Sequence, residues 1–230
     1  MKSLPIIAFF MCCAFAAEQP LPGERELLGA DRDARLAAIM AVFQAHPRVQ
    51  ARIVTRSDDL LGERIEEGEL RLDRPGRLLR RFTQPALKLW SYASGQLTEY
   101  VERTRTAYIK DFTHAPRALN LLDAAVMLDF KRLEQFFDLH VYESADGTRL
   151  VCARKADDTS RVPYQRIQAR LAPGGIFFHE IEYLPDSGDR TTEQYLDIQP
   201  VAAWKEDAFD LQLPSDAKRQ TTAVSDSERK

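Results

Sequence analysis

The stretch from Gly68 to Pro85, Gly-Glu-Leu-Arg-Leu-Asp-Arg-Pro-Gly-Arg-Leu-Leu-Arg-Arg-Phe-Thr-Gln-Pro, constrains the fold more than any other part of the chain. Gly68, Leu70 and Leu72 fall on one face of an extended segment, and Glu69, Arg71 and Asp73 on the other. Pro75 fixes one backbone angle and Gly76 supplies permissive geometry, so Arg74 through Arg77 read as a tight reversal and not as a helix start. The returning strand puts Leu78, Arg80 and Phe82 on one face. The result is an antiparallel hairpin with one apolar side, into which Arg80 is expected to intrude, inward or at the rim of a cavity.

The rest of the chain supplies more of the same sheet. Asp31 to Ala45 has helical spacing, with Leu36, Ile39, Met40 and Phe43 on one face, and His46-Pro47 ends it. Val49, Ala51, Ile53 and Thr55 then alternate with polar neighbours, and Ser57 to Gly62 reads as a turn. Leu87 to Tyr92, Leu97 to Glu102 and Thr106 to Phe112 are further strands of a meander. Ala115 to Phe137 breaks the pattern, because Leu119, Leu122, Val126, Phe130, Leu133 and Phe137 recur at intervals of three and four. Leu121, Ala125 and Leu128 widen that stripe, which suits either a helix buried in the core or a lid over a cavity. Strands resume at Asp138 to Ser144, with an Asp146-Gly147 hairpin signal before Arg149 to Arg154. Tyr164 to Leu171, Ile176 to Leu184, Thr191 to Ile198 and Trp204 to Leu213 complete the set. The expected class is α+β: a curved antiparallel sheet forming an incomplete barrel, with an N-terminal helix and a helical lid over an apolar cavity.

Charge and targeting narrow the function. With 230 residues, 44% hydrophobic and 29% charged, the composition is that of a globular protein, and a net charge of −3 gives no global attraction to nucleic acid. Lys2, the apolar run Leu4 to Phe15 and the small-x-small site Ala14-Phe15-Ala16 read as a signal peptide over residues 1–16, cleaved before Ala17. That apolar run is shorter than the about 20 residues of a membrane span. Phe9-Phe10-Met11 before Cys12 does not match the pattern needed to lipidate that cysteine. Residues 17–30 are expected to be a spacer, 31–214 a single domain, and 215–230 a polar, disordered tail. The exported chain would keep Cys152 alone, so no intramolecular disulfide can form and the core must supply the stability. Within Leu150-Val151-Cys152, that cysteine reads as a small residue packed in a strand.

No catalytic or cofactor motif is present. His46, His114, His140 and His179 are dispersed, with no pair at metal-ligand spacing. There is no phosphate loop, no Gly-x-Ser-x-Gly and no paired-cysteine motif. Asp58-Asp59 and Asp157-Asp158 sit in turn-like segments. A binding protein without cofactor or metal is therefore expected, and not an enzyme.

Gly68, Leu70, Arg74, Pro75, Thr83, Gln84 and Pro85, in this order and without a gap, resemble the hairpin of the LolA-type outer-membrane lipoprotein carrier family of the bacterial periplasm. Ser94-Gly95 and Tyr100 sit where that family has an Asp-Gly hairpin and a tyrosine, and Phe209 to Pro214 resembles its closing strand. The resemblance implies an incomplete barrel closed by a helical lid, with lipoprotein acyl chains, or a related lipid, as cargo. Leu70, Leu72, Leu78, Phe82, Leu119, Leu122, Val126, Phe130 and Leu133 would then face the lipid. Arg74 would latch the lid by hydrogen bonds to its backbone. The same resemblance implies a periplasmic monomer loaded by an inner-membrane release complex and unloaded at an outer-membrane acceptor. Burying a sixteen-carbon chain is worth on the order of 12 kcal/mol, so such cargo needs a carrier to cross water. Where the family places aromatics after Arg-Pro, this chain has Leu78 and Arg80, which puts a purely acyl ligand in question. An alternative within the same fold is a periplasmic lipid-sensing or interaction domain that regulates a partner protein. Arg71, Arg74, Arg77, Arg80 and Arg81 form a basic run that reads either as a solvated outer face or as a docking patch for an acidic partner or an anionic lipid headgroup.

Overall fold

The computed structural model describes residues 19–59, 62–74, 76–115, 129–155 and 164–224. A single antiparallel meander is built from β2 (Arg48–Asp59), β3 (Gly62–Asp73), β4 (Arg77–Gln84), β5 (Lys88–Ala93), β6 (Gln96–Val101) and β7 (Thr106–Asp111). A second runs through β8 (Phe137–Ser144), β9 (Gly147–Arg154), β10 (Tyr164–Leu171), β11 (Glu180–Pro185) and β12 (Thr191–Pro200). Pairing of β12 with β2 joins the two meanders. Two short strands, β1 (Arg25–Leu27) and β13 (Lys218–Ala223), add to the outer edges, on β8 and β7 respectively. The sheet order is therefore β1-β8-β9-β10-β11-β12-β2-β3-β4-β5-β6-β7-β13, with β1 and β13 at opposite, unjoined ends.

Curvature follows from burial. Leu27 of β1, Leu70 and Leu72 of β3, Tyr92 of β5 and Ile181 of β11 belong to one apolar cluster, although the sheet order keeps them many strands apart. A flat sheet could not bring them together, so the thirteen strands curl into an unclosed barrel around a shared core. Helix α1 (Gly29–Ala45) packs one face against that core. Its Leu36, Ile39 and Phe43 are buried, as their spacing requires, and Phe43 meets Phe178 edge to face at 5.4 Å.

The Gly68–Pro85 hairpin forms as its pattern dictates. Asp73 pairs with Arg77 across the reversal, Gly76 takes φ 106°, and Leu70, Leu72, Leu78 and Phe82 are all buried. Gly68 has a further reason to be glycine. A Cβ there would stand 2.1 Å from the Arg81 carbonyl oxygen, at a point where the β3–β4 register shifts between Glu67 and Gly68.

Several expectations are corrected. The turn placed at Ser57–Gly62 is shorter, because β2 runs on to Asp59 and β3 begins at Gly62. This outer half of the hairpin is mostly exposed on β3 and held by its backbone ladder, so it lacks the apolar alternation that would have signalled a strand. The spacer contains β1, and the tail contains β13, whose six residues are all exposed. An edge strand offers unpaired backbone groups to any extended segment, and that pairing needs no apolar side chains.

Trp204 to Leu213 is not a strand. It crosses the outer face of the sheet in local turns, with Leu211 and Leu213 packed on the small cluster of Leu89, Tyr100 and Ala107. Trp204 meets Phe209 edge to face, and the Arg77 guanidinium covers Phe209 at 4.6 Å. Alternating Phe209, Leu211 and Leu213 look like a strand in sequence because a strap laid on one face has the same period.

Most of the helical stripe, including Leu119, Leu122 and Val126, lies outside the described residues. Phe130–Leu133 forms a single helical turn, α2, with Asp129 capping it through the Arg132 N–H. Phe137, placed in the stripe by its spacing, instead begins β8. Phe130, Leu133, Phe136 and Phe137 are all buried in the main cluster.

Candidate functional site

The concave side of the sheet holds a cleft of about 300 Å³, at the lower end of the range of ligand pockets. One wall comes from β3, β4 and β5, which supply Leu70, Leu72, Leu78, Arg80 and Trp90. The facing wall comes from β10, β11 and β12 with the segment before β11, which supply Tyr164, Ile167, Phe177, Ile181, Tyr183, Glu193 and Tyr195. In the sheet order β2 lies between these walls, so the cleft is the trough of the curved sheet. Registers set the rows: Leu70 pairs with Arg80 and Arg80 with Trp90 on one wall, while Ile167 pairs with Tyr183 and Ile181 with Glu193 on the other.

A polar cluster is set into this mostly apolar lining. Arg80 Nη1 donates to Glu193 Oε1 at 2.5 Å, and Nη2 to Tyr195 Oη at 3.4 Å. The hydroxyls of Tyr195 and Tyr183 both donate to Glu193 Oε2, at 2.5 and 3.1 Å. Glu193 is only 4% exposed, and its charge is compensated by one guanidinium and two hydroxyls. The guanidinium also lies 5.2 Å from the Trp90 ring centroid, and Tyr195 meets Phe177 edge to face at 5.1 Å.

The electrostatics of this cluster are self-consistent. Burial, the largest single influence, works against the charge on Arg80, but the Glu193 carboxylate together with Tyr195 and Tyr183 outweighs it and raises the guanidinium well above its ordinary value. Burial and then the same carboxylate push the hydroxyls of Tyr183 and Tyr195 upward, so both remain donors. Arg80 Nε and the Thr55 hydroxyl are buried without a partner among the described residues, and Thr55 pairs with Glu193 across the β2–β12 ladder.

Arg74 occupies a different place from the cleft. Its Nη1 donates to the carbonyl oxygens of Phe43 at 3.0 Å and His46 at 3.3 Å, at the C-terminal end of α1, and its guanidinium lies over the Phe43 ring at 4.6 Å. A cation there also complements the negative end of the helix. Burial lowers its pKa to about 10, which leaves it charged at neutral pH. The segment expected to carry the lid lies outside the described residues, and the carbonyls that Arg74 holds are those of α1 and the residue that ends it.

The five hairpin arginines do not make one patch. Arg74 and Arg80 point inward, while Arg71 pairs with Glu69 at 2.9 Å and Arg77 with Asp73. Of the other expected lipid-facing residues, Leu70, Leu72 and Leu78 line the cleft. Phe82, Phe130 and Leu133 are buried in the core beyond its lining. Sequence reasoning missed Trp90, Tyr183, Glu193 and Tyr195. The signal lay in Thr191-Thr192-Glu193-Gln194-Tyr195, where a carboxylate alternates with an aromatic on an inward face and so calls for a buried cation.

Among the described residues no group of three or more His, Cys, Asp or Glu is placed to hold a metal ion. Cys152 is buried, and burial raises its thiol to about 12, far from a reactive thiolate. No helix among the described residues is long and apolar enough to cross a membrane.

These features define an open half-barrel with a largely apolar trough, a fold that recurs among solved structures. A conserved, uncharacterized protein from Thermus thermophilus matches 83% of this chain and 99% of its own at 9% identity, with a TM-score of 0.52. LolA superfamily proteins also stand among the similar structures. One from Nitrosomonas europaea matches 76% of this chain and 96% of its own at 10% identity, TM-score 0.41. A chain of the Pseudomonas aeruginosa MucA/MucB complex matches 84% of this chain and 64% of its own at 16% identity, TM-score 0.43. At these identities the likeness concerns the fold alone. No family model and no curated protein matches the chain.

Proposed function

We propose that the protein is a periplasmic lipid carrier of the LolA type, which holds acyl chains of a lipoprotein or a related lipid in the trough and passes them toward the outer membrane. The observation that carries this reading is the cleft itself. Two walls contributed by distant parts of the chain present Leu70, Leu72, Leu78, Ile167, Phe177 and Ile181 to a shared space that side chains do not fill. Burying apolar ligand surface there gains about 25 cal/mol per Å² removed from water. The N-terminal sequence supports export, with cleavage after Ala16, and loading and unloading would then be tasks of partner complexes in the two membranes.

The test uses protein purified from its own periplasm and a fluorescent acyl probe. Saturable binding that a competing lipid displaces, together with an N-terminus at Ala17, is the expected result. A diacylated Cys12 or Cys13, or a probe that binds only nonspecifically, would overturn it.

A further inference from the structure

We propose that the Arg80–Glu193–Tyr183–Tyr195 cluster makes the cleft selective for lipids whose polar group is an uncharged acceptor, such as an ester carbonyl, over lipids that end in a free carboxylate. The proposal rests on the cleft being the lipid site. Its basis is charge balance. A lone buried arginine would attract an anionic headgroup, but the charge of Arg80 is already matched by Glu193 at 2.5 Å, and the carboxylate is closed off further by two tyrosine hydroxyls. A second carboxylate brought to the guanidinium would stand close to Glu193 in a poorly solvated space, where like charges repel strongly.

What the cluster keeps in reserve is hydrogen-bond donation without net charge. A guanidinium has five N–H donors, and two of the bonds it makes here are to Glu193 and Tyr195. Arg80 Nε is buried without an acceptor among the described residues. A neutral carbonyl oxygen satisfies such a donor without adding charge, and filling an orphaned buried donor favours the ligand that can do it. The apolar lining takes the chain, and the cluster reads what is attached to it.

Trp90 supplies the readout, because it lines the cleft beside Arg80 and is one of two tryptophans in the chain. In Trp204→Phe protein, quenching of Trp90 emission would be titrated with dibromostearate and with its monoacylglycerol ester. Each is kept below its critical micelle concentration at mildly alkaline pH. The ester should bind at least about tenfold more tightly than the ionised acid, the penalty expected of a like charge in a poorly solvated site. In Glu193→Gln the preference should shrink or invert, because Arg80 is then free to pair with the acid.

Equal or tighter binding of the acid by the Trp204→Phe protein would overturn the selectivity while leaving the lipid site standing. Quenching by neither ligand would remove the lipid site itself, and the selectivity with it. The comparison of the two ligands decides the matter even if Glu193→Gln fails to fold.

Discussion

Arg74 and Phe43 are joined twice, by a 3.0 Å bond from the guanidinium to the Phe43 carbonyl and by the same guanidinium lying over the Phe43 ring. The turn of the β3–β4 hairpin thereby grips the last turn of α1. Arg74→Leu should cost about 1.5–3 kcal/mol for each charge-assisted bond lost, and should speed amide exchange in the C-terminal turn of α1 before that of the sheet. Arg74→Lys should recover part of the loss, because a point charge reaches a carbonyl but does not reproduce the planar fork. Denaturant midpoints and exchange rates would check this. Unchanged exchange in α1 would show that the helix is held by its apolar face alone.

Gly68 should tolerate no side chain. Its missing Cβ faces backbone atoms of β4 at 2.1 and 2.7 Å, and backbone cannot swing aside as a flexible side chain can. Gly68→Ala is expected to lower stability by more than about 2 kcal/mol, well above the cost of an ordinary surface substitution. Thermal unfolding would show it, and a loss below about 0.5 kcal/mol would mean that β3 and β4 can separate there cheaply.

Two apolar substitutions should separate core from cleft. Phe130→Ala removes a buried ring of the main cluster and should cost about 3–5 kcal/mol of stability. Ile167→Asp changes a half-buried side chain on the cleft wall, and should weaken acyl-probe binding by more than it lowers the denaturation midpoint. If the aspartate unfolds the protein while binding per folded molecule is unchanged, Ile167 does not meet the ligand.

Cys152 should resist alkylation while the protein is folded. Burial raises its thiol from the ordinary 9.0 to about 12, so the fold binds the thiol proton more tightly than the unfolded chain does. The contribution to stability is therefore complete below pH 9.0 and is lost as pH rises from there through about 12. Labelling rates measured against denaturant should follow global unfolding. Fast labelling of native protein would show local opening of β9.

Legibility in the sequence followed the physical source of each element. Strands whose apolar and polar side chains alternate, such as β10 at Tyr164–Leu171, announce themselves by that period. The outer half of the β2–β3 hairpin and β13 do not, because backbone pairing holds them and their side chains do little. The strap at Trp204–Leu213 misleads for the opposite reason, having strand periodicity without a ladder. Of the site, the inward turn of Arg80 could be read from its place between Leu78 and Phe82. The pairing of Arg80 with Glu193 could not be read, since the two lie 113 positions apart and the β12–β2 junction brings the two meanders face to face.

The Arg80–Glu193 pair has one more consequence. In the order β12-β2-β3-β4 its two ends sit on strands separated by two others, so the bond runs across the trough and not along it. It acts as a tie-rod between the two walls of a bent plate. An apolar trough without such a brace would be free to flatten, or to close its two walls on each other. With the brace in place, the span between β4 and β12 is set during folding.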